Sequence, residues 1–350
     1  MRITANMVTL TRIVLMPIPG YLLYGGASEL MIALSAIVVL GLTDWVDGIM
    51  ARREGPSVLG GLLDPMADKI FIAVIFIPLT EQGIIPLWMT MCVFVRELLV
   101  TSLRTSLSLR DAPMRTSMLA KFKTAVQMTG IGYVILYTAY PNSWFAWALI
   151  ISPAAISLGL MAFRLVTSRK QGTRSLWLFG LSCVALALRI IAGLQLTIDI
   201  TLWAITAITV FSGFSYLSDA WGALKGTPGS HKEVAKFALD GVLVPASVLL
   251  LLGRFDVMGV SALIICIITL ELAVGGLGNL LASNKVVPRF RWIATKSISQ
   301  FILALAALYV WYANLNPNLG ALLIAAIFAV TVLYASLAFY RQRAVYLKAI

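Results

Sequence analysis

The sequence predicts an all-α integral membrane protein of two tandem six-helix repeats, about twelve crossings in all, with both termini cytoplasmic. Three observations carry this prediction: the composition, the apolar runs with the charges between them, and an internal repetition. Of the 350 residues, 60% are hydrophobic and 12% are charged, against roughly 25% charged in soluble domains. The mean hydropathy is +0.93. Such a chain needs a hydrocarbon solvent.

The runs come in order. They include residues 7–24, 30–43, 70–80, 124–140 and 144–163, then 176–198, 201–217, 237–253, 257–283, 297–313 and 319–340. Several reach or approach the ~20 residues that cross ~30 Å of hydrocarbon; polar motif residues complete the shorter ones. The opening MRITANMVTLTR leads into further apolar sequence without a small-residue cleavage site, so no signal peptide is expected. Connections 51–57, 104–123, 164–174, 225–236, 285–296 and 341–350 hold most of the Lys and Arg. The alternate connections, near 24–29, 80–84, 139–143, 194–200 and 313–318, hold none, and the 253–256 turn adds only Arg254. By the positive-inside rule the basic loops and both termini face the cytoplasm. The net charge of +12 is then topology plus attraction to anionic lipid headgroups. Charges spread over six short loops exclude a nucleic-acid surface. Cys92, Cys183 and Cys266 sit in apolar runs without ligand spacing and read as small hydrophobes.

The two repeats are visible as matched residues. Arg12 matches Arg189 at an offset of 177; Gly48 matches Gly222 and Glu97 matches Glu271 at 174; Lys123 and Gln127 match Lys296 and Gln300 at 173. Agreement within four residues favours duplication, with a first domain over 1–172 and a degenerate, non-catalytic copy over 173–350.

The halves differ in their acids. Residues 43–69 read TDWVDGIMARREGPSVLGGLLDPMADK and hold Asp44, Asp47, Asp64 and Asp68. The second half has Asp219 and Asp240 near the corresponding places, no D-x-x-D, and Val244 opposite Asp68. Spacings of three and four put each aspartate pair on one face of a helix, so two consecutive helices can aim four carboxylates at one spot. Unpaired, they would repel one another and protonate. All-oxygen ligands suit Mg²⁺ or Mn²⁺, and four carboxylates can hold two ions, a common device for displacement at phosphorus. Gly48 and Gly60 leave backbone open to close approach, and Arg52, one turn beyond Gly48, can clamp a phosphate.

This segment resembles the signature of the CDP-alcohol phosphatidyltransferase family, D-x2-D-G-x2-A-R-x8-G-x3-D-x3-D, through Asp44, Asp47, Gly48, Ala51, Arg52, Gly60, Asp64 and Asp68. One departure exists: seven residues rather than eight separate Arg52 from Gly60. The resemblance implies a six-helix fold, normally homodimeric, with two metals held by the four aspartates. It also implies that Gly48, Ala51, Arg52 and Gly60 contact the CDP group of CDP-diacylglycerol, that Asp68 is the base on the acceptor hydroxyl, and that CMP leaves. A fused second copy would then act as the permanent partner, making one chain a monomeric pseudo-dimer in a bacterial cytoplasmic membrane, its site facing the cytoplasm.

NMVTLTRIVLMP, VRELLVTSLR and AKFKTAVQM are similar to the corresponding segments of phosphatidylglycerophosphate synthases, which implies sn-glycerol 3-phosphate as acceptor. An anionic acceptor needs fixed cations, and Arg96, Arg104, Arg115, Lys121 and Lys123 are available near one cytoplasmic loop. Cardiolipin synthases of the same family share the LTD…DG and LDP…ADK pattern and use phosphatidylglycerol; they usually carry Asp where Glu97 stands. A transporter with intramembrane acids and an inactive family member are the more remote alternatives.

Overall fold

The computed structural model describes residues 4–55, 57–108, 118–141, 193–224, 230–255, 259–283 and 293–347, with isolated positions between them. Among these residues all regular structure is helical. Along the first run, α1 (Ala5–Leu15) and α2 (Pro17–Leu22) are divided at Met16, because Pro17 has no N–H to continue the ladder. Then come α3 (Ala27–Glu54), α4 (Val58–Glu81), α5 (Leu87–Ser108) and α6 (Met118–Ala139). Beyond them lie α7 (Gly193–Leu224), α8 (Ser230–Ala238), a π-helical turn (Leu239–Leu243) and α9 (Val244–Leu249). The chain closes with α10 (Val260–Ser283), α11 (Ile293–Tyr312) and α12 (Pro317–Leu347).

Among the described residues, four helices, α3, α7, α10 and α12, are long and apolar enough to cross a membrane. Large apolar side chains face outward from them, among them Val38, Val39, Trp203, Phe211, Leu322 and Leu333. In water such faces would aggregate; in lipid they are solvated. The chain is an integral membrane protein. The expected connection at 194–200 is corrected: these residues are the first turns of α7, and the break comes earlier, at Gly193 with φ +74°. Gln195 and Asp199, polar residues within these turns, satisfy each other one turn apart, Nε2 to Oδ1 at 3.2 Å. The expected crossing at 144–163, and most of that at 176–198, lie outside the described residues.

α4 is enclosed on all sides, with every residue from Phe71 to Thr80 buried. It packs against α1, α2, α5 and α10, while α5 packs against α7, the π turn, α9 and α10. One continuous cluster of buried residues therefore runs through both parts of the chain, from Met16 and Phe76 to Ile267 and Ile324. Burial alone gains little between helices in lipid, so close packing and interhelical hydrogen bonds carry the association. The α5–α10 crossing shows both. A Cβ on Gly275 would come within 2.8 Å of Thr101 Cγ2, and Thr105 Oγ1 donates to Asn279 Oδ1 at 2.6 Å.

Candidate active site

The acid cluster is assembled by three helices. α3 supplies Asp44 and Asp47, α4 supplies Asp64 and Asp68, and α1 inserts Arg12 and Thr9 between them. Arg12 is buried. Its Nη1 pairs with Asp44, and its Nη2 lies 3.7 Å from Asp47 and 4.0 Å from Asp68. The Thr9 hydroxyl stands 3.0 Å from Asp47 Oδ2 and 3.3 Å from Asp64 Oδ1 with one proton to share. Asp47 is buried, whereas the Asp44 and Asp68 side chains keep 50% and 56% of their exposure. The exposed three, Asp44, Asp64 and Asp68, line a cavity of about 490 Å³.

Among the described residues no three carboxylate, imidazole or thiolate side chains stand close enough to enclose an ion by themselves; Arg12 occupies their midst. The donor set nevertheless fits a divalent cation. One guanidinium faces four carboxylates, and its Nε and Nη2 are buried without a hydrogen-bond partner. The locus therefore keeps an excess of negative charge carried by hard oxygen ligands, the chemistry that Mg²⁺ and Mn²⁺ prefer.

The neighbouring motif residues divide into two kinds. At Gly48 an added Cβ would meet only Arg52 Nη1, at 3.9 Å, so α3 presents open backbone there beneath an exposed arginine. Ala51 is half-buried on the same helix. Gly60 also has a packing reason. Its N–H donates to Ser57 Oγ, which caps α4, at 2.9 Å, and a Cβ would fall 2.8 Å from that oxygen and 3.0 Å from Asn6 Oδ1.

The far wall of the cavity is basic. Glu97, buried on α5, receives Lys123 Nζ from α6 and Arg96 Nη1 at 3.0 Å. Arg104 lines the same cavity. So does Lys69, whose ammonium donates to Thr101 Oγ1 and lies within electrostatic reach of Glu97, Arg96, Arg104 and Lys123. One carboxylate among four cations leaves this wall positive. Arg115 and the Lys121 side chain lie outside the described residues.

Comparison with known proteins decides what such a cavity belongs to. Residues 2–161 match the CDP-alcohol phosphatidyltransferase family. The CDP-diacylglycerol–glycerol-3-phosphate 3-phosphatidyltransferase of Bacillus subtilis (strain 168) is 30% identical over 234 residues, covering 63% of this chain and 96% of that one. The chain belongs to the CDP-alcohol phosphatidyltransferase family. A probable phosphatidylglycerophosphate synthase of Mycobacterium tuberculosis (strain H37Rv) is 32% identical over 200 residues, 55% of this chain and 85% of its own. The human cardiolipin synthase (CMP-forming) is 39% identical over 97 residues, 27% of this chain and 32% of its own. No solved structure matches.

Four residues of this phosphatidyltransferase, Thr9, Arg12, Lys69 and Tyr216, are not marked as site residues by the sequence pattern. Arg12 carried a signal: an arginine inside an apolar run must find carboxylates, yet it served only as a repeat marker. Lys69 adjoins Asp68, and a step of one residue turns it toward α5 instead of the acids. Tyr216 comes from α7, far along the chain, and no local pattern announces it.

Proposed function

We propose that this chain is a phospholipid-biosynthetic enzyme that transfers the phosphatidyl group of CDP-diacylglycerol to sn-glycerol 3-phosphate and releases CMP. The observation that carries this reading is one cavity with three aspartates, Asp44, Asp64 and Asp68, at one side and four cations around a single glutamate at the other. Asp44, Asp47, Asp64 and Asp68 would hold two Mg²⁺ or Mn²⁺ ions. Such ions, when bound, neutralise the charge that develops on the diphosphate. Gly48, Ala51, Arg52 and Gly60 bound the CDP side. Arg96, Arg104, Lys123 and Lys69 bind the acceptor phosphate, with Arg115 and Lys121 assigned to the same task. Asp68 takes the proton of the acceptor hydroxyl. The freed oxygen attacks the phosphorus that bears diacylglycerol, and the bond to CMP breaks with its electron pair leaving on CMP.

The second part of the chain is read as the permanent partner of the first, with domains 1–172 and 173–350, about twelve crossings, and both termini and the site on the cytoplasmic side of a bacterial membrane. Support comes from the α5–α10 crossing. Thr101 meets Gly275 and Thr105 meets Asn279, pairs separated by the same offset of 174 that relates Glu97 to Glu271. Residues that touch their own equivalents lie near a twofold axis. The α4–α10 contact and the contacts of α5 with the π turn and α9 are reciprocal in the same sense.

A second reading, phosphatidylglycerol as acceptor, draws on the human cardiolipin synthase match. CMP release from CDP-diacylglycerol separates the two. Glycerol 3-phosphate should support turnover where phosphatidylglycerol does not; the reverse order would replace the acceptor, and release with neither would overturn the enzyme reading.

A further inference from the structure

Tyr216 lies outside the part of the chain that carries the aspartates, yet it forms part of the wall of their cavity. It is 1% exposed. The Arg96 guanidinium carbon sits 5.4 Å from the centre of its ring, within cation–π range. Almost one turn earlier on α7, Gly213 lies against the Arg96 stem, where a Cβ would fall 3.0 Å from Cγ. One turn before that, Thr209 Oγ1 accepts from Gln127 Nε2 of α6 at 2.9 Å. Residues 209, 213 and 216 form one stripe of a helix, so a continuous face of α7 is fitted to α5 and α6.

The same device occurs a second time. Gln300 Nε2 donates to Thr331 Oγ1 at 2.8 Å, and Lys296 Nζ lies 4.9 Å from the centre of the Tyr334 ring. α12 thus stands to α10 and α11 as α7 stands to α5 and α6. Only the first instance opens on the acid cluster.

We infer that Tyr216 is a positioning residue for the acceptor phosphate, contributed to the active site by the second part of the chain. Its ring backs the Arg96 guanidinium, whose Nη1 is engaged by Glu97 at 3.0 Å while Nε is buried without a partner. An incoming phosphate oxygen supplies the acceptor that Nε lacks. The second part of the chain is then a piece of the acceptor site as well as a packing face. This rests on the phosphatidyl-transfer reading above.

The test is steady-state CMP release by the full-length protein in detergent–lipid micelles, varying glycerol 3-phosphate and CDP-diacylglycerol separately. Tyr216→Leu should raise KM for glycerol 3-phosphate by about tenfold, the scale of a desolvated cation–π contact, with kcat and KM for CDP-diacylglycerol within about twofold of wild type. Tyr216→Phe, which keeps the ring, should bring the acceptor KM back. Gly213→Ala, which presses on the same arginine stem, should raise it in the same direction and carries the test if the leucine variant does not fold. Tyr334→Leu, at the matching place away from the cavity, should leave it unchanged. An unaltered acceptor KM in Tyr216→Leu or in a folded Gly213→Ala, or an equal rise in Tyr334→Leu, overturns the inference while the enzyme reading stands. Wild-type protein that releases no CMP with glycerol 3-phosphate overturns that reading and this inference together.

Discussion

Two ion pairs, Glu97 with the buried Lys123 and the partly buried Glu271 with Lys296, join consecutive helices in the same way and sit in different company. Around Glu271 both carboxylate oxygens are engaged: Lys296 takes one at 2.6 Å and Gln300 the other at 2.6 Å. Around Glu97 there are cations to spare. At the offset of 174 that relates the two glutamates, Lys69, Arg96 and Arg104 correspond to Leu243, Leu270 and Gly278. The helix that should match the Asp64–Asp68 segment is instead interrupted by the π turn at Leu239–Leu243. Pro245 explains the interruption, because its ring crowds the carbonyl four residues back and it brings no N–H. The lesson is that an ion pair retained where no acid cluster exists is an anchor between helices. On the proposed reading, function resides in the charges added around it.

The sharpest way to break this comparison is to remove the metal. Chelation should abolish CMP release altogether, and Mg²⁺ or Mn²⁺ should restore it, since four carboxylates and one arginine leave an unbalanced charge. Full turnover in chelator would sink the site assignment. Asp44→Asn or Asp64→Asn should raise the Mg²⁺ concentration for half-maximal activity by at least about 10-fold, a loss typical even of groups that only support a ligand. An unchanged metal titration would remove that residue from the ligand set.

Smaller effects sharpen the contrast between the two glutamates. Glu97→Gln and Glu271→Gln should each destabilise the protein by about 3–5 kcal/mol, the usual result of stranding one partner of a buried pair, read as thermal unfolding in detergent. Only Glu97→Gln should also change KM for glycerol 3-phosphate; an equal kinetic effect from Glu271→Gln would erase the distinction between anchor and site. Lys69→Gln should give the least effect, a several-fold rise in acceptor KM without change in the metal titration, because three other cations remain on that wall.

Much of this was legible in the sequence because membranes force simple patterns. Apolar runs marked where helices would form, and the spacings Asp44–Asp47 and Asp64–Asp68 put the acids on common faces. Arg96 and Lys123 stand out in the sequence as cations near one cytoplasmic loop, and both line the cavity. The exceptions have physical causes. The start of α7 differs from the expected connection at 194–200, since the helix already begins at Gly193 and Gln195 and Asp199 bond each other within it. Gly60 also packs against Ser57 and Asn6, a reason for glycine that its place in the motif does not announce. Tyr216 and Thr9 reach the site through tertiary packing, and nothing within a few residues of either foretells it.

The most direct test of the central account, that the acid cluster of the first part of the chain is the catalytic centre, is the single substitution Asp68→Asn. Glycerol 3-phosphate-dependent CMP release should be measured beside wild type, with Mg²⁺ or Mn²⁺ at saturation. Loss of the base with retention of an oxygen ligand should lower kcat by about 10²–10⁴-fold, while the protein still binds metal in part. An Asp68→Asn protein that releases CMP at close to the wild-type rate would contradict the account.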